Sequence, residues 1–148
     1  MVIARKVAQV TITNAVRKRA GQAILQNVTD QVAAKLAANP ALAKTVLSRP
    51  EYWLAQRLPW FAKMKYGKAV EMLAARDIEK TPGLDSLFKH LGGPMKPDFV
   101  GVGALEGMRF DITTVAGAAS HYGRPLYRGP GLTIITYERA ATFTVFPK

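Results

Sequence analysis

The chain has 148 residues and no cysteine. Disulfide frameworks, thiolate-bound zinc and cysteine nucleophiles are thereby excluded. No apolar run reaches the ~18 residues that a membrane-spanning helix requires. Thr11, Thr13 and Asn14 stand where a signal peptide would be apolar, so the chain is expected to carry no export signal of its own. Acidic residues are scarce at the front. Residues 1–68 hold 12 Lys and Arg against only Asp30 and Glu51, whereas the remainder holds 9 against 8, so nearly all of the net charge of +11 comes from the first half. Such a field favours a polyanion, whose phosphates exchange condensed counterions for Lys and Arg. An acidic protein partner or a merely solvated basic surface is the alternative.

Apolar residues make up 49% of the chain, enough for a single core rather than two independent ones. The expected class is α/β in the α+β sense. A basic helical N-terminal region over 1–64 leads into an α/β core over 65–148, the two forming one structural unit. From Ala4 to Ala38 there is no Pro, and Gly21 is the one Gly. The stretch reads as helix in two pieces, with a short strand around Val10–Thr13 as an alternative and an N-cap at Thr29 or Asp30. Pro40, Pro50 and Pro59 punctuate the next segment into short helices. Helices are predicted over Lys68–Lys80 and Gly83–His90. After Gly92 and Gly93 the period changes to alternation, giving strands at Asp98–Val102, Met108–Thr114, Leu132–Glu138 and Thr142–Phe146. A short helix and a Gly/Pro loop separate the second from the third. Trp53, Trp60 and Phe61, clustered around prolines, read more readily as core than as base-stacking platforms. Gly101, Gly103 and Gly107 lack the strand–turn–helix setting of a dinucleotide fingerprint and are assigned to turn geometry.

The residues Pro97–Thr114 carry the most chemical information. Pairing the first two strands as a hairpin about Ala104 and Leu105 puts Asp98 opposite Asp111, and opposed side chains on one face lie about 5 Å apart. Two like charges so placed need compensation, which a hard divalent cation supplies. Met108, Phe110 and Ile112 alternate with Arg109, Asp111 and Thr113, giving one core face and one polar face. A turn position for Asp98 and a solvent-facing position for Asp111 are the plainer readings.

Pro97-Asp98, followed on the next strand by Asp111-Ile112-Thr113, resembles the PD-(D/E)xK nuclease superfamily. The likeness is to the toxin nucleases at the C-termini of bacterial polymorphic and contact-dependent growth inhibition proteins, and covers roughly residues 66–140. Glu71, in YGKAVE, is similar to the helix-borne acid of that family. The resemblance implies that Glu71, Asp98 and Asp111 bind Mg²⁺ or Mn²⁺, that the substrate is RNA, above all tRNA, ahead of DNA, and that a cognate immunity protein exists. It also implies a domain of a secreted or cell-surface toxin acting in the target-cell cytoplasm. Thr113 stands where the family has its catalytic lysine. Arg124 is the expected replacement cation, with His121 and then Arg109 as alternatives. Arg17, Lys18, Arg19, Lys63, Lys65, Lys68 and Arg109 are the expected nucleic-acid contacts. Two rivals remain at this stage: a metal-independent ribonuclease built on His121 and Arg124, and a non-catalytic nucleic-acid-binding or phage structural protein.

Overall fold

A computed structural model describes the chain except for Met1 and residues 94–95, 119 and 121–131, with side chains described from Asn14 onward. Helix α1 spans Val2–Ala38, followed by a 3₁₀ turn at Pro40–Thr45, α2 at Arg49–Ala55 and α3 at Pro59–Lys80. Strands β1 (Phe88–His90), β2 (Phe99–Gly101), β3 (Arg109–Thr114) and β4 (Leu132–Tyr137) form one sheet in that order. The pairs β1–β2 and β2–β3 are antiparallel and β4 runs parallel to β3, so the sheet is mixed. The α+β class, with a helical N-terminal region followed by a mixed sheet, is as expected from the sequence.

The two helical pieces expected before Ala38 are one continuous helix, and there is no strand at Val10–Thr13. Thr29 is no N-cap. It is fully buried in mid-helix and its hydroxyl donates to the Leu25 carbonyl one turn back. The stripe Leu25, Val28, Val32 and Leu36 faces inward at helical spacing. At Gly21 the helix comes so close to the sheet that an added Cβ would lie 2.9 Å from the Phe110 ring.

Pro50 and Pro59 begin helices rather than end them, because a first-turn residue needs no N–H partner. Ser48 and Glu51 form a reciprocal capping box on α2. Helix α3 therefore starts at Pro59, nine residues before the expected Lys68, and crosses the 64/65 position. Glu51 also receives Lys65 and Lys68 of α3, both at 2.7 Å. Burial works to raise its pKa, but the two ammonium groups and the Ser48 donors outweigh it and lower it to about 2.

Two further expectations are corrected. Residues 83–87 are turns leading into β1, not helix, and Leu87 and Phe88 both donate to the Leu84 carbonyl. Residues 142–146 are not a strand. Phe143 and Phe146 instead pack on Tyr66, and Phe146 on Tyr52, with centroids 4.7–6.0 Å apart, while Phe146 N–H donates to Ala55 O. One hydrophobic core runs from Leu25 to Phe146 and draws on all three helices and the sheet. On its α1 side, Gln26 donates to the Thr136 carbonyl of β4. Trp53 and Trp60, expected in the core, are 53% and 66% exposed.

Candidate functional site

The β2–β3 register pairs Phe99 with Phe110 and Val100 with Arg109, which sets Asp98 opposite Asp111 as the hairpin geometry predicts. The two carboxylates meet through the backbone. Asp98 N–H donates to Asp111 Oδ1 at 2.9 Å, and Ile112 N–H donates to Asp98 Oδ2 at 2.7 Å. Each side chain thus stands in for a ladder carbonyl and carries the strand pairing one rung further. Asp111 is 2% exposed.

Helix α3 brings Glu71 onto the same corner, beside Asp98 in one cleft, so that the two carboxyl groups act on each other. Burial, then the neighbouring Glu71 carboxyl and its charge, push the pKa of Asp98 up to about 9, with Asp111 adding to the effect and the Ile112 N–H opposing it. Burial acts to raise Glu71 as well, but His90, Asp98 and Lys68 more than reverse it, so Glu71 lies below its ordinary value and keeps the charge. His90 ends β1 opposite Phe99 and places Nε2 3.3 Å from Glu71 Oε2. The contact is not an aligned hydrogen bond, and Nε2 is buried without a hydrogen-bond partner among the described residues.

The raised Asp98 has a consequence for folding. The native state holds a proton that the unfolded chain releases near pH 4, so the stabilisation is complete below that pH and is lost as pH rises towards 9. Glu71 is shifted the other way, and its contribution is lost only in acid, below its unfolded value. The unfolding free energy of the metal-free protein, read from urea titrations, should therefore fall between pH 5 and 9, by up to about 1.4 kcal/mol per pH unit. Asp98→Asn should flatten the dependence. A flat wild-type profile would refute the raised Asp98 pKa.

Glu71 and Asp98 open into a cleft of about 340 Å³ rimmed by Lys63, Lys68 and Arg139, with Thr113 and Tyr137 in its wall. Arg139, just beyond β4, has no carboxylate partner among the described residues, and neither has Lys63. Thr113 is buried at this wall and brings no charge. The expected replacement cation Arg124 and its alternative His121 lie outside the described residues. Arg109 sits at the opposite end of β3 from Thr114. A larger groove of about 470 Å³ beside α1 contains Arg17, Lys18 and Glu106 but no converging acids.

The basic residues divide by task. Arg17 spends its guanidinium on the carbonyls of Ala104 and Glu106 and on Asn14, fastening α1 to the turn after β2. Lys65 and Lys68 are paired with Glu51. Lys18, Arg19 and Lys63 are exposed.

Among the described residues, no three carboxylate or imidazole groups are arranged to enclose a metal ion. Glu71 and Asp98 nevertheless suit a Mg²⁺-type cation, which is typically held by one or two carboxylates, waters and substrate phosphates rather than by a full protein cage. The raised pKa of Asp98 reflects charge at this pair that a bound cation would neutralise instead. Sequence reasoning missed His90 and Arg139. The sequence pattern puts His90 at the end of a helix, and Arg139 has no local spacing that ties it to the acids. No family model, curated protein or solved structure matches the chain.

Proposed function

We propose that this chain is a metal-dependent nuclease, with the Glu71–Asp98 carboxyl pair as the seat of one Mg²⁺ or Mn²⁺ ion. The observation that carries the reading is the position of this pair, together in a cleft also lined by Lys63, Lys68 and Arg139. A cleft with acids at its floor and cations at its rim matches a phosphodiester: the rim takes the phosphates, and the floor takes the cation. A divalent ion bound there supplies Lewis acidity at the phosphoryl group. Asp111 holds the Asp98 backbone in place through the Asp98 N–H.

The resemblance to PD-(D/E)xK toxin nucleases extends the proposal to a toxin domain of a contact-dependent inhibition system. RNA, and tRNA in particular, is then favoured over DNA, a cognate immunity protein is the partner, and the target-cell cytoplasm is the place of action. Arg139 supplies the cation that Thr113 cannot, and its planar guanidinium can engage two phosphate oxygens at once.

Incubation of the protein with total RNA and with plasmid DNA, with Mg²⁺ or with EDTA, tests the reading. Cleavage in Mg²⁺ that EDTA abolishes is expected. Cleavage surviving EDTA would favour the metal-independent ribonuclease with His121 and Arg124, and tight binding without cleavage would favour a non-catalytic protein. In the same assay Arg139→Ala should lower kcat by ~10² with substrate affinity largely kept, the scale of losing one transition-state donor. An equal loss of affinity and rate would make Arg139 a positioning contact.

A further inference from the structure

Helix α3 has an outer stripe that the proposed chemistry does not use. Trp60, Met64, Gly67 and Glu71 fall within a narrow arc of the helix at its 3.6-residue period. Met64, Gly67 and Glu71 all line the cleft, so Trp60 continues the same line one turn further out. Trp60 is 66% exposed and Met64 55%. An exposed tryptophan followed by an exposed methionine on the approach to a charged cleft is unfavourable as plain solvent-facing surface. Trp53 differs in kind, because Arg57 of its own chain already lies 3.8 Å above its ring. Among the described residues the one ring paired with Trp60 is that of Phe61, edge-to-face. Lys63 flanks the stripe on one side and Lys68, itself paired with Glu51, on the other, so a chain seated along it would find an aromatic and thioether surface between two lysines.

We infer that this ridge is a binding subsite for unpaired nucleotides, with Trp60 as a base-stacking platform that feeds a single-stranded segment towards Glu71 and Asp98. The inference rests on the nuclease reading for its choice of polynucleotide, and it adds the class of substrate: flexible single strands or loops rather than continuous duplex. Bases in a duplex present only their edges, whereas a splayed base offers its face to an indole. Three helical turns, about 16 Å, separate Trp60 from Glu71, which is the reach of a few extended nucleotides rather than of one.

The test uses Trp53→Phe as background, which leaves Trp60 as the sole tryptophan, and is run in EDTA so that no cleavage is required. Titration with a single-stranded oligouridylate should quench Trp60 emission. Because neither Trp60 variant keeps a tryptophan, their binding is read by the anisotropy of an end-labelled oligouridylate: Trp60→Ala should weaken it about tenfold or more, while Trp60→Phe retains most of it. A blunt RNA duplex of equal length, held by phosphate contacts, should lose less than about twofold. Unchanged melting temperatures check that these exposed positions leave the fold intact. Unquenched emission, or equal losses on single strand and duplex, would overturn the inference and hand the ridge to a protein partner. Quenching and selective loss in a protein that cleaves nothing in Mg²⁺ would uphold the subsite and refute the nuclease. Cleavage in Mg²⁺ with binding indifferent to Trp60 would do the reverse.

Discussion

Glu71→Gln and Asp98→Asn should each reduce Mg²⁺-dependent phosphodiester cleavage by about 10³-fold or more, because they remove a ligand from an ion whose Lewis acidity is worth several kcal/mol. The amide replacements are chosen for what they keep. After Asp98→Asn the side-chain amide would still offer an oxygen to the Ile112 N–H, and the backbone N–H at that position would still reach Asp111. Asp98→Asn should thus fold normally and melt higher than the wild type near pH 9, where the native carboxyl would have to ionise in a buried place. Asp111→Ala is a different experiment. It strips the acceptor from a part-buried N–H and should cost about 1–3 kcal/mol in stability as well as activity. Circular dichroism melts alongside the cleavage assay separate the two effects. Near-wild-type turnover in Asp98→Asn would remove the carboxyl pair from the chemistry.

The second large effect is expected at Gly101→Ala, which should cost about 3 kcal/mol or more and lower the melting temperature by roughly 6–12 °C. An added Cβ would lie 1.9 Å from the Leu105 carbonyl oxygen and 2.7 Å from its carbon. The obstacle is backbone, which cannot swing aside as a side chain can. Gly101 itself cannot retreat, since it pairs with Phe88 in β1 and its N–H donates to Met108 O. Relief would come only by opening the turn that sets the β2–β3 register, and with it the position of Asp98 against Asp111. Cleavage should therefore fall with stability. Gly92→Ala is the control, because nothing lies within 4 Å of its added Cβ. Equal melting temperatures for the two variants would refute the argument.

The hairpin was legible because its information is local. Met108, Phe110 and Ile112 alternate with polar residues, and a one-residue slip would turn Phe110 out of the core. Glu71 was singled out through its resemblance to the helix-borne acid of the PD-(D/E)xK family, since helical periodicity by itself only puts it off the apolar face of α3. The continuity of α1 was not, since Thr11 and Thr13 interrupt its apolar pattern and the stripe that docks it begins only at Leu25. Residues 142–146 alternate like a strand, yet their rings insert into the core around Tyr66 without joining the ladder. Trp53 and Trp60 depart from the sequence expectation for a related reason. Pro50 and Pro59 start helices, and the rotation of those helices turns the indoles outward. His90 reaches Glu71 from β1 and Arg139 reaches the cleft from the end of β4, elements that tertiary packing alone brings beside α3.

The bond from Gln26 to the Thr136 carbonyl bears on solubility. Strand β4, Leu-Thr-Ile-Ile-Thr-Tyr, is uncharged, free of proline and glycine, rich in β-branched residues, and outermost in the sheet among the described residues. Such a segment is a template for pairing with other chains and for fibril growth when its edge is bare. Helix α1 packs against β4, and Gln26 occupies one of its carbonyls. The long basic helix thus doubles as a guard on an aggregation-prone strand, and any state in which α1 lifts away bares that strand to self-association.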